Sequence, residues 1–268
     1  MSRLQSLVES ERAFAAAAAA HGMRDAFISF LADESVLFRP AAVPGREWMR
    51  AQPPRTGLLA WHPMFAEVAH AGDIGYTSGP WEFWPEGRSK SPAGQGYFVS
   101  LWATQPDGAW KVMLDTGIDS PGPANFGAWE PPANGKAGHS PAGWPADLEA
   151  ERGALLSTDR AFADDARLQG LAGAFDFFAL DDVRLYRAGY QPFVGKDVSR
   201  AFLAAQAERP EWAPLAGGVS RSGDVGYTYG EMECAPARRA MYVHIWKKAA
   251  DQRWKLALAI TSDLPASE

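Results

Sequence analysis

Arg39 and Asp115 are the two charged residues best placed for chemistry in this sequence. Arg39 closes a short apolar run that reads as a strand, Val36–Arg39. A guanidinium at the rim of an enclosed pocket would hold an anionic or enol-bearing ligand through paired hydrogen bonds. The alternative for Arg39 is a structural ion pair with Asp33, Glu34 or a helix carboxylate. Asp115 lies in a second strand-like run, Trp110–Ile118, in step with Lys111, Met113 and Gly117, while Trp110, Val112 and Leu114 face the other way. A carboxylate buried in a pocket titrates higher than usual, which suits proton transfer. A salt bridge between Asp115 and Arg39 would account for both residues at once.

Other reactive types are sparse. His62 and His70 are eight residues apart, too far for one metal on a straight strand, and no H-x-E, C-x-x-C or H-x-x-x-H spacing occurs. No metal and no cofactor is therefore expected. Cys234 is the sole cysteine, so it has no thiol partner for a disulfide or a zinc site. No G-x-S-x-G elbow is present, and the two Gly-Asp-x-Gly-Tyr-Thr blocks lead into strands, as hairpin turns do and phosphate loops do not. Trp48, Trp61, Trp81, Trp84 and Tyr76 form an aromatic load that would enclose a flat apolar ligand or pack a core.

Those residues sit in a chain of 268 amino acids, long enough for two ordinary domains. Apolar residues at 47% and charged ones at 22% give a globular composition, and a net charge of −6 argues against non-specific nucleic-acid binding. No apolar run approaches the roughly 20 residues of a membrane span. Ala13–Ala20 follows Glu9 and Glu11, where a secretion signal would be basic, and the segment recurs as Asp159–Ala166, so it reads as a structural helix; the single cysteine fits a cytoplasmic protein, as it would a cysteine-poor periplasmic one.

That recurrence extends over the whole chain. Glu11-Arg12-Ala13-Phe14-Ala15 returns as Asp159-Arg160-Ala161-Phe162-Ala163, Leu37-Phe38-Arg39 as Leu185-Tyr186-Arg187, and Gly45-Arg46-Glu47 as Gly195-Lys196-Asp197. The block from Gly72 to Gly79 returns from Gly223 to Gly230, and Trp102, Asp107, Trp110 and Lys111 return as Trp246, Asp251, Trp254 and Lys255. The order is kept and the offset drifts only at loop-like places, so the chain is a tandem duplication. The domains are read as 1–119 and 147–268, joined by a Pro/Gly-rich linker at 120–146 in which Phe126, Trp129 and Trp144 suggest packing on a domain surface. In each copy helices come first and strands follow: Leu4, Leu7, Val8, Glu11, Phe14 and Ala18 carry helical spacing, then come Ala26–Leu31, a helix after Gly45, and strands at Ile74–Trp84, Tyr97–Thr104 and Trp110–Ile118. Segregated helices and strands indicate an α+β class with an antiparallel sheet.

This order, closing on Gly108-Ala109-Trp110-Lys111-Val112-Met113-Leu114-Asp115, resembles the nuclear transport factor 2-like superfamily, in particular its SnoaL-like, DUF4440-type domains, over residues 4–118 and 152–264. The resemblance implies two cone-shaped domains, each with about three N-terminal helices packed on a curved sheet that encloses a pocket, with the Asp115 side concave. The pocket is an active site in some members and a binding cavity in others; a small-molecule ligand is expected in the first-domain pocket, and the alternative is a non-enzymatic interaction or structural module in which domains pair through their sheets, within one chain or in a homodimer. The isomerase chemistry of that superfamily needs a carboxylate before the proline, a tyrosine on the first helix and an acid on the sheet. Here those places hold Arg39 and Arg187, Phe14 or Ala15, and Ser100 and His244, so ketosteroid isomerase is excluded. If the protein is an enzyme, metal-independent acid–base chemistry of the lyase or cyclase kind is expected, with Asp115 as its candidate. The expected ligand-binding set is Arg39, Trp48, His62, Tyr76, Trp81, Ser100 and Asp115, with Arg187 and His244 in the second pocket. Ala259 replaces Asp115 in the second copy, so the two copies cannot share a mechanism that uses it. The second copy is expected to be a partner or scaffold.

Overall fold

The computed structural model describes residues 1–88, 91–121, 144–145, 147–234 and 238–265. Two compact units divide the chain, Met1–Val68 with Gly72–Gly135 and Ala69–Ala71 with Lys136–Glu268. Most of the expected linker, including Phe126 and Trp129, lies outside the described residues; Trp144 is exposed. Among the described residues no helix is long and apolar enough to cross a membrane.

The first domain opens with α1 (Arg3–His21), which a capping box fixes at its start: Ser2 Oγ accepts from the Gln5 backbone and Gln5 Oε1 from the Ser2 backbone, at 3.1 and 3.0 Å. One stripe, Leu7, Val8, Glu11, Phe14 and Ala18, is buried, so a carboxylate rides on the apolar face. Gly22 ends the helix at φ 87°, a conformation other residues adopt only with strain, and Gly170 ends the equivalent helix at the same φ. α2 (Met23–Phe30) leads into β1 (Leu31–Phe38), β2 (Ala42–Pro44) and α3 (Gly45–Ala51). Four further segments, β3 (Leu58–Trp61), β4 (Phe65–Val68), β5 (Ile74–Trp84) and β6 (Gly94–Thr104), precede β7 (Trp110–Asp119). The sheet runs β2-β1-β7-β6-β5-β3, with β4 also on β5.

Two details correct the sequence reading. The sheet is mixed, because β1 lies parallel to β7 while the other pairs are antiparallel. The face assignment of β7 also changes. Ser100 stands opposite Asp115 and Trp102 opposite Val112, so one residue of β7 is extra between them. Ser100 and Trp102 share a face, and therefore Asp115 and Val112 do too. This bulge puts Trp110 and Val112 in the helix-facing core with Leu7, Phe14 and Trp102, and puts Asp115 on that same inner side.

The second domain repeats the plan with α4 (Leu148–Gln169), α5 (Leu171–Phe178), β8 (Ala179–Arg187), β9 (Phe193–Val194) and α6 (Lys196–Gln206). Its remaining strands are β10 (Glu211–Val219), β11 (Val225–Cys234), β12 (Arg238–Lys248) and β13 (Trp254–Asp263), in the order β10-β11-β12-β13-β8-β9. The bulge recurs: His244 faces Ala259, Trp246 faces Leu256, and Ala257 is extra. The chain is thus α+β, two curved sheets each packed by its own helices.

Candidate functional site

The inner side of the first sheet and the helices over it leave a cavity of about 210 Å³. Its wall is mainly aromatic and aliphatic: Phe14 on α1, Phe27 on α2, Leu59 and Trp61 on β3, Trp81 on β5 and Phe98 on β6. Polar character comes from Arg39, at the end of β1, and from the β7 stretch Asp115, Thr116 and Gly117. The volume exceeds the roughly 150 Å³ that holds a benzene molecule and falls short of the space a drug-sized ligand fills.

Arg39 and Asp115 both line this cavity, yet no ion pair joins either to an opposite charge among the described residues. Arg39 donates to its neighbour's carbonyl, Phe38 O, at 2.7 Å, and its guanidinium lies 5.6 Å from the Trp48 ring centre. Asp33 is instead taken by Arg46. Burial pushes the Arg39 pKa down; the nearby Asp115 charge opposes this and Arg55 reinforces it. Asp115 accepts from Ser100 Oγ at 2.8 Å. Burial pushes its carboxyl up to about 6, with Arg39 and the Ser100 hydrogen bond pulling the other way.

Behind the cavity wall lies a group that sequence reasoning passed over. Glu11 is fully buried and accepts from Trp61 Nε1 at 2.6 Å, Thr77 Oγ1 at 2.5 Å and Trp102 Nε1 at 2.9 Å. Burial raises its pKa to about 7 despite those donors, and the Asp115 charge adds to the rise. Its signal in the sequence was an acid on the apolar stripe of the first helix that recurs as Asp159.

The remaining candidates divide. Trp81 lines the cavity, and its Nε1 is buried without a hydrogen-bond partner among the described residues. Ser100 reaches the site through Asp115, and Trp48 through Arg39. Tyr76 sits on β5 out of step with Thr77 and Trp81 by one residue, so it faces the other side of the sheet, where its hydroxyl donates to Glu67 and its ring packs on Phe65. His62 follows β3, its backbone N–H donating to Pro80 O at 3.2 Å, and it is not among the lining residues. Burial and then Arg12 hold its pKa down.

In the second domain the equivalent side chains bond to one another. His244 Nδ1 lies 2.7 Å from Asp159 Oδ1, Tyr242 donates to Asp159 Oδ2 at 2.7 Å, and Thr228 donates to Oδ1 at 3.1 Å. The Tyr242 and His244 rings are 4.5 Å apart, with Phe162 and Trp212 at 5.4 and 5.8 Å from His244. Arg187, the counterpart of Arg39, is buried and donates to Thr261 Oγ1 at 2.5 Å. Among the described residues no three His, Cys, Asp or Glu side chains converge as metal ligands would.

No family model matches the chain, and no curated protein does. Solved structures are similar to it over one domain's length. A protein of unknown function from the DUF3225 family of Pectobacterium atrosepticum is 16% identical, covering 46% of this chain and 99% of its own, with a TM-score of 0.37. An NTF2-like protein of unknown function from Pseudomonas putida is 14% identical over 43% of this chain and 89% of its own, with a TM-score of 0.38. A putative ketosteroid isomerase from Parabacteroides distasonis is 11% identical over 46% of this chain and 96% of its own, with a TM-score of 0.36.

Proposed function

We propose that this protein binds a small, partly apolar organic anion in the cavity of its first domain, and that the second domain is a closed copy without a ligand. The carrying observation is a cavity of about 210 Å³ whose aromatic wall holds one arginine, Arg39, that no carboxylate neutralises by an ion pair among the described residues. Leaving a half-buried cation short of partners costs stability, and an anionic ligand would supply what is missing. The residues of the second copy support its assignment, since Tyr242 and His244 close on Asp159 where the first domain is open.

A second reading, acid–base catalysis on the bound molecule, draws support from Asp115. A carboxyl held near pH 6 beside a guanidinium is suited to take and return a proton in water. A thermal-shift screen of small organic acids, enols and cyclic ketones tests the binding reading. A ligand at a hundred times its Kd adds about 2.7 kcal/mol to the native state. Acids that raise the melting temperature of the wild type and not of a folded Arg39→Ala variant are expected. Hits that persist in that variant would refute the assignment of the anion to this cavity.

A further inference from the structure

The cavity contains a place built for one oxygen atom, and the second domain shows what fills it. On β13, Thr261 stands directly across from Arg187, and its Oγ1 accepts from the Arg187 guanidinium at 2.5 Å. The register of the first domain assigns the same place to Gly117. Leu37 faces Asp115 in the parallel pair β1–β7, as Leu185 faces Ala259 in β8–β13; carried two residues beyond its last pair, the first register sets Arg39, just past β1, level with Gly117, where Arg187 pairs with Thr261. Gly117 has no side chain to offer, and Arg39 lacks the hydroxyl acceptor that its counterpart enjoys.

A donor without a partner lies next to that spot. A Cβ on Gly117 would lie 3.3 Å from Trp81 Nε1, the buried indole N–H that has no acceptor among the described residues. At the equivalent place in the second sheet stands Met232, which has no N–H to satisfy. A buried donor without a partner is uncommon and costs stability. Among the described residues the Trp81 indole N–H has no acceptor, the Arg39 guanidinium donates to Phe38 O, and both residues line the cavity with Gly117.

We propose that the first-domain cavity takes a ring-sized carboxylic acid whose carboxylate lies over Gly117, held by the Arg39 guanidinium and the Trp81 Nε1–H. The inference rests on the binding reading above and names its ligand class. The volume suits the body of the ligand: about 210 Å³, against the roughly 150 Å³ that holds benzene, has room for a six-membered ring with its substituents. Asp115, two residues from Gly117 on the same face, is about 7 Å along the strand, a span that one ring with para substituents covers. A ring hydroxyl at that end donates to the Asp115 carboxylate, so a para-hydroxylated acid fits better than the unsubstituted one.

Calorimetric titration at pH 6 with benzoate, 4-hydroxybenzoate and phenol tests this on the wild type and on Gly117→Thr and Trp81→Phe. Gly117→Thr installs the second domain's own oxygen where the ligand's would lie. Its fold is expected to survive, because the position is extended strand and threonine already serves there in the other copy. Both acids are expected to bind the wild type, 4-hydroxybenzoate more tightly. Each should weaken roughly tenfold or more in Gly117→Thr, the loss of a hydrogen bond to a charged group. Trp81→Phe keeps the ring and removes the donor, and it should weaken both acids while leaving phenol unchanged. Acid binding that survives Gly117→Thr at wild-type strength would overturn the inference, as would failure of both acids to bind. Another small organic anion binding in an Arg39-dependent way while both acids fail would overturn the ligand class and leave the binding reading standing.

Discussion

Asp115 and Ala259 hold the same register position in the two sheets: each faces the leucine of a parallel first strand, Leu37 or Leu185, and each faces the inward residue of the preceding strand, Ser100 or His244. The two interiors differ at this pair. With Asp115 and the small Ser100, space remains beside the strand. With Ala259 and His244, the imidazole spans to Asp159.

Arg187 is therefore expected to matter for stability and not for ligand. It is buried and hydrogen-bonded to Thr261, so Arg187→Ala leaves a void and an unpaired hydroxyl. A loss of about 2–4 kcal/mol in denaturant unfolding is predicted. Thr261→Gly should lose less than Arg187→Ala, since it strands a donor without removing the larger side chain.

Glu11 and Asp159 anchor their domains through equivalent positions on α1 and α4. Glu11→Ala would strand the Trp61 and Trp102 N–H groups, and Asp159→Ala the Tyr242 and His244 partners. Each is predicted to cost about 3–5 kcal/mol in chemical denaturation. Glu11→Gln keeps an acceptor for Trp61 and should cost roughly 2 kcal/mol less than Glu11→Ala.

Ligand affinity should depend on pH through Asp115. Above about pH 6 its carboxylate is ionised; there it repels an anion and attracts Arg39. Protonation removes both effects, so affinity for a carboxylate ligand is predicted to rise as pH falls towards about 6 and to level off below it, by up to about tenfold per pH unit. Asp115→Asn should flatten the titration curve and bind at neutral pH as the wild type does in mild acid.

Stability should fall in the same direction for a related reason. Glu11 titrates near 7 in the folded chain against 4.5 for an ordinary glutamate. A raised folded-state pKa contributes stability that is complete below the unfolded value and is lost as pH rises through the folded one. The stability of the wild type relative to Glu11→Gln is thus predicted to decline between about pH 4.5 and pH 7, by on the order of 3 kcal/mol. Denaturant midpoints of both proteins at pH 5 and pH 7.5 check this.

The duplication and the α+β order were legible because repeated blocks and strand runs such as Ile74–Trp84 carry their signal locally. Arg39, Trp81 and Asp115 could be nominated from residue type, and the fold brings all three to one cavity. What escaped depended on pairing across the chain. A single extra residue in β7 turns Val112 and Trp110 to the face of Asp115, and simple alternation assigns them the opposite one. β3 and β4 are four residues each, separated around Pro63, and carry too little pattern to be read alone. Glu11 looked like one acid on an amphipathic helix; its three donors come from positions 50 to 91 residues away. The role of Gly117 is invisible without the threonine that faces Arg187 in the other sheet.

The central claim is one open, Arg39-dependent site per chain. An equilibrium titration with benzoate, followed by tryptophan fluorescence because Trp61 and Trp81 line the cavity, tests it on the wild type, Arg39→Ala and Arg187→Ala. The predicted result is a single site per chain, abolished in folded Arg39→Ala and retained in Arg187→Ala. Two sites per chain, or binding that survives Arg39→Ala and disappears in a folded Arg187→Ala, would contradict the account.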